Sequence, residues 1–120
     1  MQMKRISIVT LVAFVAVLVP RIALAHAHLL SSTPVADATV QGPNVPIELR
    51  FNSRVDGGHS VLALVTRDGD GAVKLVIDKQ SADNNLNAHA TLKPGSYTLR
   101  WQALAPDGHI TRGEIPFTVR

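Results

Sequence analysis

From Val45 to Phe51 the chain reads Val-Pro-Ile-Glu-Leu-Arg-Phe, with apolar and polar side chains alternating at period two. That period gives a strand one buried and one wet face, and it does not suit a helix, whose faces repeat every 3.6 residues. The same alternation returns in Ser96-Tyr-Thr-Leu-Arg-Trp-Gln-Ala103, aligning Tyr97, Leu99, Trp101 and Ala103 on one face. It returns again from Gly113 to Val119, where Ile115, Phe117 and Val119 share a face. Between these runs, Ser60–Thr66 and Ala72–Ile77 flank Arg67-Asp-Gly-Asp-Gly71. Asp-Gly pairs supply the positive φ that a hairpin turn requires, so these two strands are predicted to pair. The turn lacks the further ligands of a calcium loop and the lysine of a phosphate loop, so it is read as a turn only. A short strand over Asn87–Leu92 ends at Lys93-Pro94-Gly95. No helical period is present beyond residue 25, and turn signals recur throughout. The pattern predicts an all-β fold, a small antiparallel β-sandwich. Leu92-Lys-Pro-Gly-Ser-Tyr97 fits the tyrosine corner of such sandwiches, and Trp101 is predicted at the centre of the core.

The first 25 residues do not belong to that pattern. Lys4 and Arg5 precede an apolar stretch of 14 residues, Ile6 to Val19; Pro20 then breaks it before the small-residue site Ala23-Leu24-Ala25. This is the order of a secretory signal peptide, predicted over residues 1–25 with the mature domain over 26–120. The apolar stretch is shorter than the roughly 20 residues a spanning helix needs. The formal net charge of +3 is carried by Lys4, Arg5 and Arg21, all in the leader. The domain that remains is electrically balanced, which gives no basis for binding nucleic acid or an anionic membrane surface. Both methionines, Met1 and Met3, are also in the leader, and the chain has no cysteine. An exported domain without disulfides must be held by its own apolar core. Without sulfur it also lacks the soft ligands that select Cu(I).

Cleavage after Ala25 makes His26 the first residue, offering a metal its free amine and its imidazole Nδ1. A second possible site, after Ala27, would leave His28 first. Between the last two strands lies Asp107-Gly108-His109, whose carboxylate and imidazole, two apart, fall on the same side of an extended backbone. Together these donors suit Cu(II), Ni(II) or Zn(II), and Cu(II) stands highest in affinity for such ligands. With His26 first, His28 is the third residue, and amine-x-His is the spacing of the square-planar Cu(II)/Ni(II) peptide chelate. His28 is therefore an accessory candidate, either through that chelate or in support of the other ligands. His59, after Asp56-Gly57-Gly58, and His89 have no partner at ligand spacing and are read as surface histidines, His59 being the better accessory candidate.

The run His26-Ala-His-Leu-Leu-Ser-Ser-Thr-Pro34, followed by Ile47-Glu-Leu-Arg-Phe51, Pro94-Gly-Ser-Tyr-Thr-Leu-Arg-Trp101 and Asp107-Gly-His109 with Gly113, resembles the CopC family of periplasmic copper-binding proteins. The likeness covers essentially the whole predicted domain, with the motifs in the family's order. It implies a cupredoxin-like, Ig-like Greek-key β-sandwich or barrel of about seven strands. It also implies one Cu(II) ion held by the amine and Nδ1 of His26 and by Asp107 and His109. Some family members carry an acidic residue after the Phe of the early strand, where this chain has Asn52-Ser53-Arg54. Others carry a Met-rich loop for Cu(I), absent here, so the match is to the Cu(II)-only branch.

The expected function is a periplasmic Cu(II) carrier or buffer for copper resistance or uptake, monomeric and without an enzymatic activity. The resemblance suggests handover to a CopD-type inner-membrane copper transporter. Two other classes stand beside it: an oxidative copper enzyme acting on polysaccharides through a histidine brace, and a metal-free structural or interaction sandwich. The first wants a flat aromatic surface, and this chain has one Trp and one Tyr, both assigned to the core.

Overall fold

A computed structural model describes residues 27–66 and 71–120. The predicted leader, His26 and the turn residues 67–70 lie outside the described residues. Eight strands are present: β1 (Leu29–Thr33), β2 (Ala38–Val40), β3 (Asn44–Phe51), β4 (Val61–Thr66), β5 (Ala72–Lys74), β6 (Asn85–Thr91), β7 (Gly95–Leu104) and β8 (Ile110–Val119). They form a three-stranded sheet in the order β1-β3-β6 and a five-stranded sheet in the order β2-β8-β7-β4-β5. The predicted all-β sandwich is therefore the observed architecture. Among the described residues no helix is long and apolar enough to cross a membrane.

The strongest alternations became the longest ladders. In β3, Val45, Ile47, Leu49 and Phe51 are buried while the residues between them are exposed. β7 and β8 pair antiparallel without a break from Gly95↔Val119 to Leu104↔Ile110, so β8 begins three residues before the predicted Gly113. β4 and β5 pair antiparallel as the Asp-Gly turn predicted, although β5 ends at Lys74 rather than Ile77. Two strands escaped the sequence reading. β1 has no clean alternation and carries a bulge between Leu29 and Ser31, and β2 has only three residues. β2 also corrects the expectation of a wholly antiparallel fold, since it pairs with β8 in parallel.

Each side of the sandwich is closed by a segment that changes sheet. On one side, β1 lies in the small sheet and β2, after Pro34, lies against β8. On the other, Leu75 N–H still donates to Leu62 O (2.8 Å), and Asp78 N–H already donates to Asn87 O of β6 (2.8 Å).

Between the sheets the core is continuous. Trp101 is buried, as predicted, and meets Phe51 edge-on at 5.3 Å and 68°. The tyrosine corner is formed: Tyr97 Oη–H donates to Lys93 O at 2.6 Å, tying down the turn before β7. Gly113, the register partner of Trp101, leaves the space its indole occupies. A Cβ at Gly113 would lie 2.5 Å from Trp101 Cε2 and Cζ2 and 2.6 Å from Nε1. Gly113→Ala is therefore expected to cost about 1–3 kcal/mol by overpacking, despite the better strand propensity of alanine. Urea unfolding checks this, through a lower midpoint at unchanged slope.

Candidate metal centre

The loop Ala105–His109 is the tip of the β7–β8 hairpin, and its shape follows from its own hydrogen bonds. Ala105 N–H donates to His109 O (2.8 Å), Gly108 N–H donates to Ala105 O (2.9 Å), and Gly108 takes φ +91°, which favours glycine. Asp107 Oδ1 accepts from His109 N–H at 3.0 Å, and Asp107 Oδ2 meets His109 Nδ1 at 2.6 Å. The two predicted ligands are thus brought together, but not by extended backbone. They lie in a turn, where an aspartate that bonds the amide two residues on folds its carboxylate back over the loop. Both side chains remain accessible to solvent. The Asp107 carboxyl is held below its ordinary 3.8, chiefly by the His109 backbone N–H; slight desolvation opposes this and the His109 ring reinforces it.

The base of the loop is braced from β4 and the turn before it. Asp56 N–H donates to Leu104 O (2.9 Å), Leu104 N–H donates to Ser60 Oγ (3.1 Å), and buried Ser60 donates in turn to Asp56 O (2.6 Å). In the same turn Asp56 accepts from Gly58 N–H (2.9 Å) and meets His59 Nδ1 (2.9 Å). Its carboxyl is lowered chiefly by the His59 ring, with the Gly58 and His59 amides adding to this and desolvation opposing it. His59 therefore has an acidic neighbour, contrary to expectation, and so has His89, whose Nδ1 lies 2.9 Å from Asp78 Oδ2. Both imidazoles are exposed, as expected.

The start of the described chain is docked against this end of the sandwich. Ala27 is 1% exposed, and its carbonyl accepts from Thr111 Oγ1–H at 3.0 Å, two residues beyond His109. His28 N–H donates to Asn52 Oδ1 (2.8 Å) and Asn52 N–H donates back to His28 O (2.9 Å). The backbone of residues 27 and 28 is thus held from β8 and from the end of β3. His26 precedes Ala27 directly and lies outside the described residues. Among the described residues no three His, Asp or Glu side chains gather as a metal cluster. Asp107 and His109 are one such pair, which a third donor set would have to complete. Thr111, Asn52 and Ser60 were not anticipated; the only sequence signal was an asparagine at a strand end, where such residues turn the chain.

Ionised Asp107 stabilises the fold because its carboxyl is depressed relative to the unfolded chain. That stabilisation is present above the ordinary carboxylate range and is lost as pH falls through the lowered value. Asp107→Asn is expected to melt below the parent at neutral pH, with the difference shrinking as pH drops below about 4. Thermal melts of the metal-free proteins across pH test this.

The CopC domain model matches residues 29–120. Copper resistance protein C of Pseudomonas syringae pv. tomato is 30% identical over 128 residues, covering all of both chains. Protein YobA of Escherichia coli K12 is 31% identical over 99 residues, covering 80% of each. The crystal structure of CopC from Methylosinus trichosporium OB3b is similar at a TM-score of 0.71 and 28% identity, covering 78% of this chain and 93% of that one.

Proposed function

The chain belongs to the CopC family, and on that premise we propose that it is an exported carrier or buffer of Cu(II) serving copper resistance or uptake. Residues 1–25 are a secretory signal, and cleavage after Ala25 delivers residues 26–120 to the periplasm with His26 first. One Cu(II) is bound by the amine and Nδ1 of His26 together with Asp107 and His109, with no Cu(I) site. The observation that carries this reading is the Thr111–Ala27 hydrogen bond, which fastens the residue after His26 to the strand that begins just after His109.

The donor set supports the cargo. Amine, imidazole and carboxylate are the ligands among which Cu(II) ranks highest, and the fold brings carboxylate and imidazole together before any metal arrives. Neither aromatic side chain lends itself to a flat polysaccharide-binding face: Trp101 is buried against Phe51, and Tyr97 is tied to the turn at the opposite end of β7. This favours carriage over oxidative catalysis. Copper leaves by transfer to a CopD-type inner-membrane protein. Because free amine and imidazole titrate near 8 and 6.5, binding releases protons and weakens steeply in acid.

The test is Cu(II) titration of the mature protein beginning at His26, beside the same protein extended by one N-terminal alanine. The extension blocks the amine chelate and is expected to remove most of the affinity. His109→Ala is expected to weaken binding by at least about 100-fold, since even the outer partners of metal ligands are worth about 10–100-fold. Equal affinity in the extended protein overturns the reading. A mature protein that binds no Cu(II) would point to the metal-free sandwich instead.

A further inference from the structure

We propose that Asn52 is a positioning residue that selects between two Cu(II) chelates written into His26-Ala27-His28, by holding the His28 amide away from the metal. The inference rests on His26 being the first residue of the exported protein. A chain beginning His-Ala-His can wrap Cu(II) in four nitrogens: the amine, the deprotonated amides of residues 27 and 28, and the imidazole of His28. Forming it releases the two amide protons to solvent, leaves copper as Cu(II), and makes two metal–nitrogen bonds in place of two N–H bonds. A flexible peptide of this sequence has nothing to oppose it.

The fold does oppose it. The His28 N–H that would be lost is donated to Asn52 Oδ1 at 2.8 Å, and Asn52 N–H grips the His28 carbonyl at 2.9 Å. The first bond holds the nitrogen of the 27–28 peptide unit and the second holds the carbonyl of the 28–29 unit, so turning the His28 nitrogen toward a metal means breaking the first and straining the second. The preceding residue is restrained as well: Ala27 is buried and its carbonyl is held by Thr111 Oγ1 at 3.0 Å. A square-planar wrap would have to extract Ala27 from the core and break all three hydrogen bonds. With that route closed, His26 is left to combine with Asp107 and His109, a site whose ligands come from two separate segments and which can open to release its cargo. Asn52 follows Phe51, the last residue of β3, so its side chain stands where the strand ends beside the docked terminus. The register Leu29↔Phe51 keeps the two segments together.

The inference predicts a switch of coordination rather than a loss of it. The mature protein from His26 and its Asn52→Ala variant are each loaded with one equivalent of Cu(II) and compared by visible absorption and electron paramagnetic resonance. The parent is expected to show the lower-energy visible band of a site with mixed nitrogen and oxygen ligands. The variant is expected to show a blue-shifted band with four-nitrogen hyperfine structure, which Asn52→Ala/His28→Ala abolishes. With Ni(II) alone, only the variant should turn yellow and diamagnetic, as square-planar Ni(II) does. Asn52→Asp, which keeps an oxygen acceptor for the His28 amide, should retain the parent spectrum. Melting of the metal-free proteins checks that each is folded. Thr111→Val, which frees Ala27 from the other side, should move the spectrum in the same direction if Asn52→Ala does not fold.

Unchanged spectra in folded Asn52→Ala, or a four-nitrogen signature in the parent itself, overturn the role of Asn52 while leaving the carrier reading intact. A parent that binds no Cu(II), or binds it equally with a blocked amine, overturns the carrier reading and this inference with it.

Discussion

The β7–β8 ladder is the constraint on which the rest of the molecule hangs. It runs through ten register pairs, from Gly95↔Val119 to Leu104↔Ile110, and β2 and β4 build outward from it. Its inward face supplies Leu99, Trp101, Ala103, Ile115, Phe117 and Val119 to the core. The loop that carries Asp107 and His109 is the closure of this one hairpin. A loop at the tip of a long, well-anchored ladder inherits its rigidity, which fixes the Asp107–His109 pair better than a free loop would. Gly113 makes this possible, because a larger residue there would displace Trp101 and spread the two strands.

Around that fixed half, the start of the domain is attached more lightly. Its ties near the site are one buried methyl group at Ala27 and hydrogen bonds to Thr111, Asn52 and the β3 edge. A methyl-sized group contributes about 0.8 kcal/mol and each hydrogen bond about 1 kcal/mol net. Each is small beside a core ladder, and only their sum holds the backbone of residues 27 and 28. The geometry therefore sets a well-anchored loop beside a segment that a few ties, acting together, hold in place.

How much of this was legible in the sequence depended on periodicity. β3 was readable because one face is buried along its length, and β7 and β8 because one face is buried from Leu99 to Ala103 and from Ile115 to Val119, so the polar and apolar residues had to alternate there. β1 was not: its burial is irregular and the bulge at Leu30 breaks the period. β2 was too short to have a period, and its parallel pairing with β8 is a fact of topology alone. The pairing of Asp107 with His109 was foreseen from their spacing, yet the cause was a turn rather than a strand. Asn52 and Ser60 could not be singled out, because each acts through one or two hydrogen bonds to residues 24 and 44 positions away. Likewise, His59 after Asp56-Gly57-Gly58 read as a surface histidine, and only the fold showed the Asp56 backbone bracing the end of β7.

The two sheet-changing segments also bear on how the protein behaves in company. A sandwich normally presents strands with unpaired amides at its margins, and these recruit strands from other molecules. Here Asp78 bonds across to β6, β2 and β5 are only three residues long, and β1 is bulged and followed by Pro34. Among the described residues the outer strands of the larger sheet are short, and β6, a seven-residue margin, is met on its outer side by the Asp78 N–H. Short and bulged margins of this kind offer a second copy little length to pair with.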